Sequence, residues 1–206
     1  MFIIKKSLKL SLFLFNLFLF SQVIANLRPI EIAKIVSLGK VEKYYKNRKN
    51  YTEEAISIIR KFIIGGGCEL NNVLELGPYK QPIVENSDVM DLRRHIKGIK
   101  YVWDATKTPW PLGDKSYDLF IALQVWEHLG DKQKEAFAEV VRMSKMAILS
   151  FPYKWKCKKD NCHYGIDDSV ISDWTLGFKP AYSKVVREDG DIKERSLRKV
   201  CFFIFD

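Results

Sequence analysis

The chain has 206 residues, 47% of them hydrophobic and 13% aromatic, which suits one domain with its own core and excludes a disordered chain. A net charge of +9 is spread over 34 basic and 25 acidic residues and is not by itself a nucleic-acid signature. Four cysteines, Cys68, Cys157, Cys162 and Cys201, are too few and too scattered for a disulfide scaffold.

Three lysines, Lys5, Lys6 and Lys9, precede an apolar run, Leu10–Phe20, broken only by Ser11 and Asn16. Small and apolar residues then lead to Ala25, the layout of a secretory signal peptide cleaved after that residue. The run is short against the roughly 20 residues of a membrane span; the alternative is that Leu8–Ala25 serves as an uncleaved membrane anchor. Residues 1–25 are therefore set apart from the fold, and a secretory or membrane-anchored location is expected.

Pro29–Tyr45 carries Ile30, Ile32, Ile35, Val36 and Leu38 among lysines and glutamates, an amphipathic helix pattern. Thr52 is the expected N-cap of a second helix, with Glu53 and Glu54 in its first turn. That helix presents Ala55, Ile56, Ile59 and Phe62 on one face and stops at Gly65-Gly66-Gly67. Strands are expected at Val73–Leu76, Asp88–Leu92, Lys100–Asp104, Tyr117–Leu123 and Met146–Phe151. The fourth is apolar on both faces, as in a central parallel strand. The short interval between Gly77 and Asp88 leaves room only for a turn around Pro82–Asn86. Helices are expected at Asp131–Met143, with Phe137, Val140 and Val141 inward, and at Asp168–Leu176, with Asp168 or Ser169 near its start. Tyr182–Arg187 and Val200–Phe205 form a final antiparallel pair across Glu188-Asp189-Gly190-Asp191. Strands alternating with helices predict an α/β, doubly wound, seven-stranded, mostly parallel sheet with an antiparallel C-terminal hairpin.

In such sheets ligands bind beyond the carboxyl ends of the central strands, where strand order reverses. Glu75, Asp91 and Asp104 end the first three strands on that rim. A carboxylate at the second position can accept both hydroxyls of a ribose, and one after the third strand can accept from an adenine amino group. Gly77 lets backbone approach a ligand where a Cβ would clash. Cys157, Cys162 and His163 are close in sequence, but a zinc site takes four ligands at recurring spacing. No obvious fourth partner follows them, so no metal is expected. A Cys157–Cys162 disulfide requires an oxidising compartment. Lys154, Lys156, Lys158 and Lys159 read as a solvated loop, and the five tryptophans as core or pocket lining.

Val73-Leu74-Glu75-Leu76-Gly77-Pro78 resembles motif I of the class I S-adenosylmethionine (SAM)-dependent methyltransferases, of the type 11-like kind. Tyr117-Asp118-Leu119-Phe120 through Glu127-His128-Leu129 resembles their fourth motif, and Trp103-Asp104-Ala105-Thr106 the segment whose acid meets adenine. The resemblance covers about residues 72–152. It implies a Rossmann-like fold and SAM as cofactor, with Glu75, Gly77, Asp91, Asp104, Ala105 and Gln124 around it. Gln124–His128 then line the methyl-transfer face. Two positions depart from the pattern: Tyr79 stands where family members carry a second glycine, and Pro78 removes a backbone donor.

Methyl transfer from a sulfonium needs orientation and exclusion of water, and a general base when the acceptor is a hydroxyl. His128 is the expected catalytic residue, Glu127 its partner or alternative base, and His163 a secondary candidate; His95 lies just past the second strand. The expected acceptor is a small molecule, lipid or sugar, and no specific nucleic acid is expected, because no Asn/Asp-Pro-Pro-Tyr motif occurs. A non-catalytic protein of the same fold, binding partners at a membrane, is the competing reading. A dinucleotide-binding enzyme is disfavoured by the absence of Gly-x-Gly-x-x-Gly.

Overall fold

The computed structural model describes residues 48–94, 99–156, 162–188 and 195–205. The leader, the helix expected over Pro29–Tyr45, His95 and Cys157 lie outside them. Strands β1 (Val73–Leu76), β2 (Asp88–Asp91), β3 (Tyr101–Val102), β4 (Tyr117–Leu123) and β5 (Ser144–Pro152) are joined in parallel. Strands β6 (Tyr182–Arg187) and β7 (Leu197–Ile204) close the sheet as an antiparallel pair, β7 against β5. The order is β3-β2-β1-β4-β5-β7-β6. This is the doubly wound, mostly parallel seven-stranded sheet with an antiparallel hairpin that the sequence predicts.

The two-residue period of β4 explains its continuous apolar run. Phe120 and Ala122 belong to one hydrophobic layer with Leu74, Trp126 and Phe137. Leu119 and Ile121 belong to the other with Ile56, Ile59 and Phe202. The first layer is covered by helices α2 (Gln133–Met143) and α3 (Asp168–Trp174), and the second by α1 (Lys49–Ile58), which runs on as a π-helical turn over Ile59–Ile64. Phe137 and Val140 are fully buried. The glycine run at 65–67 ends the first helix as expected.

One expected cap is corrected. Thr52 is not an N-cap: the helix begins at Lys49, and the buried Thr52 hydroxyl donates back to the Arg48 carbonyl at 2.7 Å. The cap comes from afar. The carboxylate of Glu188, just past β6, accepts from the amides of Asn50 at 3.0 Å and Tyr51 at 2.7 Å. Helix α3 starts at Asp168, as expected, and is capped by Asp167, whose carboxylate accepts from the amides of Ser169 and Val170. Strand β3 pairs over only two residues of the expected Lys100–Asp104, as an edge strand, while β7 starts three residues before the expected Val200. Among the described residues no helix is long and apolar enough to cross a membrane.

Candidate active site

The chain leaves β1 toward β2 and leaves β4 toward β5, on opposite sides, so the C-terminal ends of the adjacent β1 and β4 open a crevice. A cavity of about 300 Å³ lies there, at the lower end of the range of small-molecule sites, which runs from about 300 to 1,000 Å³. Its wall combines Glu75 in β1, Gly77 and Tyr79 after it, Gln124, Val125 and His128 after β4, and Arg48, Tyr51 and Thr52 from the start of α1.

Gly77 is held in the left-handed region at φ +60°, its amide donating to the Met90 carbonyl at 2.9 Å. A Cβ built here would lie 3.0 Å from Val125 Cγ2 and 4.0 Å from Asp91 Oδ2. Glycine is therefore required twice, by backbone conformation and by the approach of β1, β2 and the β4 loop. Tyr79 replaces the second glycine in sequence, yet at φ 59° it keeps the left-handed conformation that a glycine would take freely.

Glu75 is buried, and both its oxygens are engaged. Oε2 accepts from the Ile83 amide at 2.9 Å, while Oε1 accepts from the Val84 amide at 2.8 Å and the Ser87 hydroxyl at 3.1 Å. The turn that replaces a helix after β1 is thus folded around this carboxylate. Burial pushes its pKa up to about 7 despite the three donors. Asp118 has a similar job at the other end of the sheet, accepting from the amides of Asn71 and Asn72 and pairing with Lys145 at 2.8 Å.

Asp91 ends β2 on the same rim, with Oδ1 accepting from the Arg93 amide at 3.2 Å. Asp104 Oδ1 accepts from the amide and hydroxyl of Thr106, which lowers its pKa. The carbonyl of buried Ala105 accepts from Trp110 Nε1 at 3.1 Å. None of these three is in the wall of the cavity, although Asp91 borders it through Gly77. Gln124 is in the wall; at φ 56°, its amide donates to the Ser150 hydroxyl oxygen at 3.0 Å, fixing the sharp exit from β4.

The segment Trp126–His128 forms a 3₁₀ turn that buries Trp126 and Glu127 and leaves His128 at the cavity. Burial, with Arg48 nearby, lowers the pKa of His128, so its imidazole is neutral at pH 7. Glu127 is 3% exposed, and neither carboxylate oxygen has a hydrogen-bond partner among the described residues. Desolvation raises its pKa to about 8 against the pull of Arg198 and Arg48.

After β5 the chain doubles back, with Lys154 N donating to Ile166 O at 2.8 Å and Gly165 N to Trp155 O at 3.2 Å. This return sets Cys162 and His163 beside His128. His163 stacks on Trp155 at 5.3 Å between centroids and meets the His128 ring edge-on at 5.0 Å.

Sequence reasoning missed two contributions. Arg48, Tyr51 and Thr52 reach the cavity because of a cap supplied from some 137 positions away, for which no local signal exists. The Cys162–His163 pair was singled out by its spacing, but its meeting with His128 depends on the return loop.

No family model matches the sequence, and no curated protein is significantly similar to it. Solved structures are similar in shape. An S-adenosylmethionine-dependent methyltransferase from Clostridium acetobutylicum superposes with a TM-score of 0.58 at 10% identity, over 81% of this chain and 98% of that one. The N-methyltransferase NodS from Bradyrhizobium japonicum superposes with a TM-score of 0.54 at 15% identity, over 78% and 97%. The same enzyme bound to S-adenosyl-L-homocysteine gives 0.53 at 12% identity, over 76% and 88%. The chain has the Rossmann-like fold of the class I SAM-dependent methyltransferases.

Proposed function

We propose that the protein is a SAM-dependent methyltransferase acting on a small-molecule, lipid or sugar acceptor. One observation carries this reading: a glycine-only cradle at the β1–β4 switch point, where Gly77 backs onto Asp91 and Val125, shares a cavity with His128. The cradle and its volume suit a nucleoside cofactor. SAM, when bound, supplies a methyl group on a sulfonium, an electrophile that needs no further activation.

The chain's own residues supply the rest. Asp91 offers a carboxylate to the ribose hydroxyls, and Gly77 the close backbone approach. Asp104 and Ala105 extend the rim for the base, while Glu75 positions the loop beneath the ligand and Gln124 the exit from β4. Arg48 and Tyr51 close the cavity from α1 and help exclude water. His128, neutral at pH 7, is the acceptor-side group able to take a proton from a hydroxyl at its exposed ring. Glu127 lies behind it, with Oε1 3.9 Å from His128 Nε2. The basic and apolar leader supports delivery to the secretory pathway or a membrane.

The test is release of S-adenosylhomocysteine across a panel of sugar, lipid and small hydroxylated acceptors, with His128→Ala beside the wild type. Turnover should fall by about 10²–10⁴-fold, with SAM affinity nearly intact. Unchanged turnover in the variant would remove His128 from the mechanism.

A further inference from the structure

Three potential metal ligands that are distant or adjacent in sequence converge beside the cavity, which His128 lines. Cys162 Sγ lies 3.1 Å from His163 Nδ1 and 3.8 Å from His128 Nδ1. One ligand atom from each of His128, Cys162 and His163 can be chosen within 4.8 Å of the others. A tetrahedral zinc ion with its usual bond lengths separates a thiolate sulfur from an imidazole nitrogen by about 3.6 Å. The two observed separations fall on either side of that value.

A second observation points the same way. Glu127 is 3% exposed, without a hydrogen-bond partner among the described residues, and aimed into the cluster. Its Oε1 is 3.9 Å from His128 Nε2 and 3.8 Å from His163 Nε2. Each imidazole thus turns one nitrogen to the sulfur and the other to the same carboxylate. Metal-bound histidines characteristically donate their second ring N–H to a carboxylate, which fixes the tautomer and ring orientation. A buried carboxylate otherwise lacking donors is costly, and here two N–H donors and a nearby cation would satisfy it.

We infer that His128, Cys162 and His163 form a site for a divalent zinc-like ion, with both Nδ1 atoms and Sγ as ligands and Glu127 as their shared orienting carboxylate. The two-histidine, one-thiolate set suits borderline-soft ions over magnesium or calcium. Three protein ligands leave a fourth position open, as in catalytic rather than structural zinc sites.

His128 also lines the proposed cofactor cavity. With the ion bound, His128 serves as a ligand in place of the base role it has in the metal-free site, and the open position selects an acceptor with a hydroxyl or thiol, bound as its anion after losing its proton to solvent. The acceptor's lone pair then forms the bond to the methyl carbon, while the sulfur–methyl bond breaks and leaves its pair on sulfur. This assignment of the acceptor class rests on the methyltransferase reading, whereas the metal site itself does not.

The experiment is titration of the purified full-length chain with cobalt(II), followed by absorption, with zinc as competitor and SAM binding measured in parallel by calorimetry. The site predicts one cobalt per chain, tetrahedral ligand-field bands and a near-ultraviolet thiolate-to-cobalt band, all displaced by zinc. Cys162→Ser should remove the thiolate band, and Glu127→Gln should weaken metal affinity by about 10–100-fold. Cys68→Ser, remote from the cluster, should change nothing. Circular dichroism and SAM affinity report whether each variant is folded. Absence of the thiolate band in the wild type, or its survival in Cys162→Ser, would overturn the site. Cobalt binding without SAM binding would leave the site standing and sink the cofactor reading.

Discussion

Replacing Gly77 with alanine tests the cradle at its tightest point. The backbone there sits at φ +60°, and the new Cβ would lie 3.0 Å from Val125 Cγ2. A left-handed conformation costs an L-residue about 1–2 kcal/mol. Moving the Val125 side chain off its rotamer adds about 0.5–1.5 kcal/mol. The lower entropy of the unfolded chain returns about 0.4–1 kcal/mol. A net loss of about 0.5–3 kcal/mol follows, or roughly 1–12 °C in Tm for a chain of this size. The protein should remain folded. SAM affinity should fall at least about tenfold, because the methyl group intrudes between Val125 and Asp91 where the ligand must approach, and tenfold corresponds to only about 1.4 kcal/mol. Calorimetry of SAM binding and thermal melts of Gly77→Ala, Val125→Ala and the double variant give a complete cycle. Val125→Ala should return part of the Tm by removing the clash, but not the part due to φ. A Gly77→Ala chain that melts and binds SAM like the wild type would refute the reasoning.

Other consequences are open to direct measurement. Glu188→Ala strands the amides of Asn50 and Tyr51 at the start of α1. The Tyr51 amide is buried and the Asn50 amide half-buried; a buried donor left unsatisfied costs about 1–3 kcal/mol, so Tm should fall by at least about 2 °C at roughly 2–4 °C per kcal/mol, and a melt unchanged within about 1 °C would contradict the cap. Glu75 has its pKa raised in the folded state from 4.5 to about 7, so its stabilising contribution is complete below pH 4.5 and is lost as pH rises through 7. That gap corresponds to about 3 kcal/mol; the melt should drop from pH 5.5 to pH 8 and flatten in Glu75→Gln, and a pH-independent difference between the two chains would show the assignment to be wrong.

Much of the fold is legible because it is written in local periodicity. Val73–Leu76, Tyr117–Leu123 and Tyr182–Arg187 begin and end where their apolar patterns do. The turn in place of a helix after β1 follows from chain length alone. What depends on distant contacts is not legible. Thr52 has the chemistry of an N-cap, but a carboxylate from the far end of the chain takes that role and draws the helix start back to Lys49. Tyr79 looks incompatible with a glycine-type turn until its φ of 59° is seen. Acids at strand ends identify the rim, but not which of them meets solvent and which, like Glu75, is consumed by backbone donors. Cys162 and His163 lack a further ligand in sequence because His128 is 34 positions away and arrives only through the fold.

The central claim is that the β1–β4 crevice binds SAM, and the direct measurement is calorimetric titration of SAM and S-adenosylhomocysteine into the full-length wild type and Asp91→Ala. Saturable, one-to-one binding to the wild type that is lost or strongly weakened in a folded Asp91→Ala chain is the predicted result. No heat of binding to the folded wild type, or equal affinity in the two chains, would contradict the account.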